Sequence, residues 1–405
     1  MAKKILILLL AAAVMASFAA CHSTQSAGRE KEGNANENWK IGIITGPASL
    51  QEEAFRAAEQ LKAKYGEHRI VTATYPDAFY VDAETVAACM ADMAADKDVE
   101  AIVFVPAIPG AASAIDEVRK TRPDMLFVCG TPGEDPCVIC ASADIVLDAD
   151  EAAMSEAVAR QAADLGAGTF VYYSFPRHGS YAPLSARHDV IEQTCEEHDV
   201  EFVDAVMPDP LGDEGAQGAQ RFLLDDIPRM VELYGRDTAF FCTDCGMQEL
   251  LIACVLELGA ICPQSFCPSP YSAYLAALGI DVTSREGEAE GMLRQIEQKV
   301  IEAGNAGRMS CWTRPVEAFE LEIGVRYAEK WITGETDGRV DAAALASVVQ
   351  EISGEGQGAG IRSSAATGQD EAETGVDNCF LLLCGHRTFG EADAAQHEPG
   401  QAPGS

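Results

Sequence analysis

Positive charge is scarce in this sequence. Its 405 residues hold 29 Lys+Arg against 64 Asp+Glu, a formal net charge of -35. A uniformly acidic surface repels phosphate backbones, which argues against a nucleic-acid partner. Aromatic residues make up 7% of the chain, an ordinary share that points to neither a stacking surface nor a membrane bundle. Beyond the first twenty residues no apolar run reaches the length of about 20 that a bilayer span needs. Catalytic and cofactor signatures are missing too. There is no G-x-G-x-x-G for a dinucleotide, no G-x-S-x-G elbow and no H-E-x-x-H. Neither a cofactor nor a metal is therefore expected. Apolar residues are plentiful: at 48% of the chain they suffice for packed cores. The length suggests about two domains with appendages.

The first residues read as an export signal. Lys3 and Lys4 form a basic start, and the run Ile5 to Ala20 is apolar apart from Ser17. It is short for a span and fits a secretory h-region. It closes on Phe18-Ala19-Ala20-Cys21, which resembles a bacterial lipobox. On that reading residues 1–20 are removed and Cys21 is lipidated, anchoring the chain to the outer face of the cytoplasmic membrane. A plain signal peptide cut elsewhere is the alternative. Residues 21–38 are polar and read as a flexible tether.

Fourteen cysteines are unusual for an exported chain. With Cys21 on lipid an odd number remains, so at least one thiol is free or paired between molecules. Cys137-Val-Ile-Cys140 and Cys242-Thr-Asp-Cys245 both have C-x-x-C spacing, open to a redox pair or a zinc site. Cys89, Cys195 and Cys254 fall in helical patterns among apolar neighbours, where a thiol acts as a small hydrophobe. Inert thiols, one or two disulfides and a metal site all stay open.

From Trp39 onward short apolar runs alternate with amphipathic stretches. Strands are expected at 41–44, 70–74, 101–105, 125–128 and 145–147, with helices at 50–65, 83–95 and 111–120. The rhythm restarts with a helix at 151–165, a strand at 169–173, a helix at 181–198 and a strand at 201–205. Next come a helix at 217–234 kinked at Pro228, a strand at 238–242, a helix at 247–258 and a strand at 260–262. A helix at 286–303, a short strand near 309–312 and a helix at 316–332 follow. Continuous apolar strands alternating with helices mean parallel sheets covered on both faces. The fold class is therefore α/β, with two Rossmann-like lobes, parallel sheets and an interlobe cleft. Lobe 1 is placed at 39–148, lobe 2 at 149–266, and a return segment completing both at 267–335. Residues 336–377 are expected to be mostly a mobile loop, with a short helix possible at 342–352. The isolated apolar run 379–384 should return to a sheet, making 378–390 a closing strand before a disordered tail at 391–405.

An exported two-lobed α/β chain has the build of a solute receptor, since ligands of such sheets bind at the C-terminal strand ends. The chain from Trp39 to Thr333 resembles a type 1 periplasmic binding protein, and the turn Leu147-Asp148-Ala149-Asp150-Glu151 is similar to that fold's first crossover. More narrowly it resembles the bacterial family catalogued as domain of unknown function 3798. The segments that carry this are Trp39 to Gly46, Tyr75 to Phe79, Pro106 to Gly110, Pro176 to Tyr181, Cys242 to Glu249, Cys267 to Tyr271 and Asn378 to Phe389. The resemblance implies a binding protein that hands a small molecule to an ABC-type permease or a membrane sensor. It names no ligand, and with no G-x-S-x-G and no H-E-x-x-H an enzyme is not expected. An exported enzyme and a ligand-free signalling or structural lipoprotein are the alternatives. A regulator using the same fold would need a basic helix-turn-helix.

Candidate ligand-binding residues follow the strands. Thr45 and Ser49 flank a turn whose backbone amides could hold an anion or a carbonyl, or which is merely a tight βα turn. Tyr75, Asp77 and Phe79 combine rings and a carboxylate suited to a polyol or a cationic group, or form a structural Pro-Asp turn. Pro109 lies in the segment Pro106 to Gly110 after the third strand. Arg177 could clamp a carboxylate or phosphate, or belong to an ion pair. His178 could hydrogen-bond a ligand, though a lone His is usually structural. Thr243 and Asp244 follow the third strand of the second unit, where Asp244 is either the acidic ligand group or a helix cap. Ser269 and Tyr271 face the cleft or the hinge. Cys242 or Cys245 with His178 is the one conceivable catalytic dyad.

Overall fold

The computed structural model describes residues 37–76, 83–267, 269–270, 273–280, 289–354, 358–364 and 377–390. The expected signal segment, Cys21, most of the tether, residues 355–357 and 365–376 of the expected mobile loop and the tail lie outside these residues, as do Asp77, Phe79 and Tyr271.

The first lobe is built on β1 (Lys40–Thr45), β2 (Ile70–Thr74), β3 (Val99–Phe104), β4 (Leu126–Gly130) and β5 (Ile145–Ala149), which run parallel in the order β5-β4-β3-β1-β2. β3 is buried at every position, as a central strand covered on both faces must be. The helix Glu52–Tyr65 covers one face with Ala54, Ala57, Ala58 and Leu61 at helical spacing. Glu52 and Glu53 in its first turn and Lys62 and Lys64 in its last complement the helix dipole.

The second lobe holds β6 (Thr169–Ser174), β7 (Glu201–Val206) and β8 (Thr238–Cys242) as a parallel sheet in the order β7-β6-β8. The strand expected at 260–262 is reduced to isolated parallel bridges, Ala239 with Ile261 and Cys262 with Met309. Gly259, in the left-handed region at φ 65, and Pro263, which has no N–H, leave too few residues for a full ladder. The helix Gly215–Tyr234 contains Pro228 as one continuous element.

Four late strands complete the two lobes. β9 (Ser310–Trp312) pairs antiparallel with β12 (His386–Thr388) beside the second lobe. β11 (Cys379–Leu383), the late apolar run, lies parallel to β5 in the first sheet. β10 (Gly360–Ser363) pairs antiparallel with β11 and forms that sheet's edge. β10 is a correction, because this stretch was expected to be loop. Its Gly- and Ser-rich composition hides it, and the order comes from Arg362, whose guanidinium bonds the buried carboxylate of Asp150. The helix Ala342–Ser353 is also formed, capped by Asp341.

The main chain thus passes between lobes at Ala149–Glu151, Thr313–Pro315 and Cys384–Gly385. These passages are laced together: the Asp150 N–H donates to Leu382 O (2.8 Å), and the Thr313 N–H donates to Gly385 O (2.8 Å). A set of short parallel crossovers is the usual form of a hinge between lobes.

The helix Val316–Thr333 presses on the first sheet through Gly324, where an added Cβ would stand 2.7 Å from Val103 Cγ1 and 3.3 Å from Val128 Cγ1. Branched side chains of central strands have nowhere to go. Gly324→Ala should therefore destabilise the protein by about 1 kcal/mol net, overpacking outweighing the gain in helix propensity. Urea unfolding checks this, and an unchanged or raised midpoint would contradict it.

Candidate functional site

At the first lobe's edge Thr45 is buried, its hydroxyl donating to Gly46 O at 3.0 Å. The Tyr75 N–H donates to Thr45 O at 3.0 Å, and its fully buried ring packs against Phe104 with centroids 6.1 Å apart. Gly46 permits this approach, since a Cβ there would lie 2.8 Å from the Tyr75 hydroxyl and 2.7 Å from Gln51 Cγ. Ser49 and Pro109 are exposed. The helix start beside Pro109 is already occupied, because Glu134 accepts from the N–H groups of Gly110 (3.0 Å) and Ala112 (2.9 Å).

The ends of β4 and β5 carry a cluster of carboxyl groups. Glu320, on the helix Val316–Thr333, is completely buried and accepts from the Thr131 N–H (3.1 Å) and hydroxyl (2.8 Å). Burial, and then the nearby Asp148, hold its carboxyl well above the usual range. Gly130 makes room for it, as a Cβ would stand 2.5 Å from Glu320 Oε2. Burial pushes Asp148 up to about 6. Burial and then Glu53 push Glu317 up to about 7. Asp148 and Glu317 remain partly exposed.

At the second lobe's edge Arg177 is exposed and held bidentately by Asp209 (2.9 and 3.1 Å), with its guanidinium 4.9 Å from the Phe175 ring centroid. This is the ion-pair alternative. His178 contacts the Thr243 hydroxyl through Nδ1 at 2.8 Å and lies against Phe175 at 3.9 Å between centroids. Burial and then Arg177 lower its pKa. Thr243 is buried, its N–H donating to Tyr173 O. Asp244 is half-buried at the start of the turn Cys245–Met247, and its side chain makes no capping bond there. Arg177, His178, Thr243 and Asp244 therefore gather at one place, while Ser269 donates to Glu53 across the lobes.

The cysteines resolve one open question. Cys245 is bonded to Cys267, with Cα atoms 6.2 Å apart, so Cys242 and Cys245 are not a redox pair. Cys242 is wholly buried, and burial pushes its thiol up to about 12. His178 turns to Thr243 instead. The one conceivable dyad is therefore not assembled. The disulfide joins the Asp244 turn to the segment holding Gln264, which is 1% exposed and whose amide has no hydrogen-bond partner among the described residues.

Among the described residues two cavities stand out. One of about 570 Å³ lies between the helices Glu52–Tyr65 and Val316–Thr333 and the helix Ala289–Glu302, and none of the sequence candidates lines it. The other, about 420 Å³, is walled by His178, Phe175, Leu184, His188 and Asp204 on the second lobe. Sequence reasoning missed Asp148, Glu317, Glu320 and Gln264. Glu317 and Glu320 read as the polar side of an amphipathic helix. The one available signal for Gln264 was a lone amide next to Ser265 between Cys262 and Phe266.

The fold recurs in a solved structure from Clostridium difficile 630, titled a putative transcriptional regulator, with a TM-score of 0.78 at 20% identity over 87% of this chain and 99% of that one. At that identity the likeness speaks to the fold alone, and it is the two-lobed fold of type 1 periplasmic binding proteins. Two uncharacterised proteins of Treponema pallidum (strain Nichols) are similar in sequence. One is 37% identical over 184 residues, covering 44% of this chain and 83% of its own length. The other is 29% identical over 220 residues, covering 54% of this chain and 100% of its own. Residues 39–310 match the family described as "Protein of unknown function (DUF3798)", and the chain belongs to that family.

Proposed function

We propose that this protein is an exported, lipid-anchored receptor that captures a small polar ligand between the strand ends of its two lobes and presents it to an ABC-type permease or a membrane sensor. The ligand carries a cationic group or several hydrogen-bond donors. The observation that carries this reading is the set of carboxyl groups Asp148, Glu317 and Glu320 at the strand ends of the first lobe, two of them held near neutrality. Groups poised in this way are common at functional sites. The absence of any helix long and apolar enough to cross a membrane among the described residues is compatible with anchoring through Cys21. On this reading His178, Thr243 and Asp244 meet the ligand from the second lobe, Thr45, Tyr75 and Ser269 help shape the site, and Arg177 orders the loop through Asp209.

Mass spectrometry of small molecules released from natively purified protein, followed by a thermal-shift panel, tests the reading. Amines, polyols, sugars, nucleosides, amino acids and peptides make up the panel. An empty protein that none of them stabilises would sink it.

The carboxyl cluster gives a sharper expectation. A carboxyl whose folded pKa is raised costs nothing below its unfolded value near 4. It destabilises the fold progressively as pH rises through its folded value. Between about pH 5 and 8 the ligand-free protein should lose roughly 1 kcal/mol for each of Asp148 and Glu317, a figure reduced for their partial exposure. Asp148→Asn and Glu317→Gln should flatten this fall and raise the melting temperature at pH 8. The same changes should weaken binding of a cationic ligand about tenfold or more. Melting curves across that range that match wild type would remove the cluster from the site.

A further inference from the structure

A second group of cysteines lies in the first lobe, away from the strand ends. Cys137 and Cys140 sit three residues apart on the short helix Pro136–Ser142, where Asp135 accepts from the Cys137 N–H at 2.8 Å. Cys137 is exposed and Cys140 is 6% exposed. Cys379, also 6% exposed, is the first residue of β11 and pairs with Val146 of β5. The neighbouring Asn378 fixes β11 against the end of that helix, its Nδ2 donating to Cys140 O (2.9 Å) and Ala143 O (3.0 Å). Cys140 and Cys379 belong to one buried cluster together with Cys129, Ile139 and Val146. Two thiols from distant parts of the chain thus share one buried cluster, and a third, three residues from one of them, faces solvent.

We propose that Cys140 and Cys379 are a redox pair, closed to a disulfide by exchange through Cys137, which locks the late strand β11 to the body of the first lobe. The chemistry is ordinary thiol–disulfide exchange with a small-molecule disulfide as oxidant. The Cys137 thiolate attacks that disulfide, forming a mixed disulfide and releasing one small thiol. Cys140 then attacks the Cys137 sulfur and displaces the second small thiol, giving a Cys137–Cys140 disulfide. Cys379 attacks the Cys140 sulfur, and the Cys137 thiolate leaves. In sum two protein thiols are oxidised and one external disulfide is reduced to two thiols. The neighbouring Cys140 thiol favours the thiolate at Cys379, which suits it to the last attack.

The pair can be judged on the unmodified full chain. The protein is equilibrated in graded mixtures of reduced and oxidised glutathione, quenched with N-ethylmaleimide and digested, and its peptides are mapped by mass. A peptide linked through Cys140 and Cys379 should rise with the oxidant while the Cys245–Cys267 link persists as an internal standard. Recovery of both Cys140 and Cys379 as alkylated thiols at every ratio, with the standard intact, overturns the pair. A dominant Cys137–Cys140 link at equilibrium overturns it as well. Cys137→Ser should slow formation of the link about tenfold or more, since buried thiols exchange slowly without an accessible partner. An unchanged rate overturns the route through Cys137.

Discussion

Trp312→Ala is expected to lower the free energy of unfolding by about 3–5 kcal/mol, the largest effect of any single change considered for this protein. Trp312 is among the largest fully buried side chains. It ends β9, pairs with His386 of β12 and immediately precedes a crossover. Its ring belongs to a hydrophobic cluster drawn from both lobes, including Ile43 and Val128 of the first and Phe170 and Phe241 of the second. Its indole N–H donates to Ser265 O at 2.9 Å. Alanine would leave a cavity at the junction and a buried carbonyl without its donor. Trp312→Phe separates these effects, keeping most of the apolar contact and losing the hydrogen bond, for about 1–3 kcal/mol. Urea unfolding followed by circular dichroism measures both. A cost below about 1 kcal/mol for Trp312→Ala would mean that the junction is not a shared core.

Loss of the Cys245–Cys267 disulfide is expected to cost about 3 kcal/mol. The two residues are 22 apart in sequence, and closing a loop of that size in the unfolded chain is worth that amount in the chain-entropy account. The bridge also holds the turn carrying Asp244 to the segment carrying Gln264. The Cys245→Ser, Cys267→Ser double variant should therefore unfold at lower urea and bind its ligand more weakly. Hydrogen exchange should rise at 243–248 and 263–267 before it rises in β6. A double variant as stable as the parent, with unchanged exchange in both segments, would contradict the assignment.

Much of the architecture is visible in the residues alone. Runs such as Ala101 to Val105 and Phe170 to Tyr173 are too apolar for anything but covered strands, and the helix between Glu52 and Tyr65 declares itself through its spaced apolar positions. β10 is not visible, because Gly360-Ile361-Arg362-Ser363 owes its order to a neighbouring strand and to one ion pair with a residue over 200 positions away. The site is legible only in part. The loops after the strands can be located, since they follow directly from the strands. Which side chains acquire unusual chemistry there cannot be read, because Glu320 and Asp148 are perturbed by burial, and burial is set by packing. Arg177 shows the converse: its rarity in an acidic chain draws attention, yet Asp209, beyond the next strand, already engages it. The cysteine pattern misleads most, because spacing suggests Cys242 with Cys245 while the fold pairs Cys245 with Cys267.

The laced crossovers bear on how the molecule is made. β11 belongs to the first sheet and β12 stands beside the second lobe, yet both come from one short stretch, residues 379–388. During synthesis neither lobe can finish until that stretch has left the ribosome. Multidomain chains usually fold unit by unit from the N-terminus. Here the first lobe must wait for residues 379–383 and the strand beside the second for residues 386–388, so both lobes reach completion together.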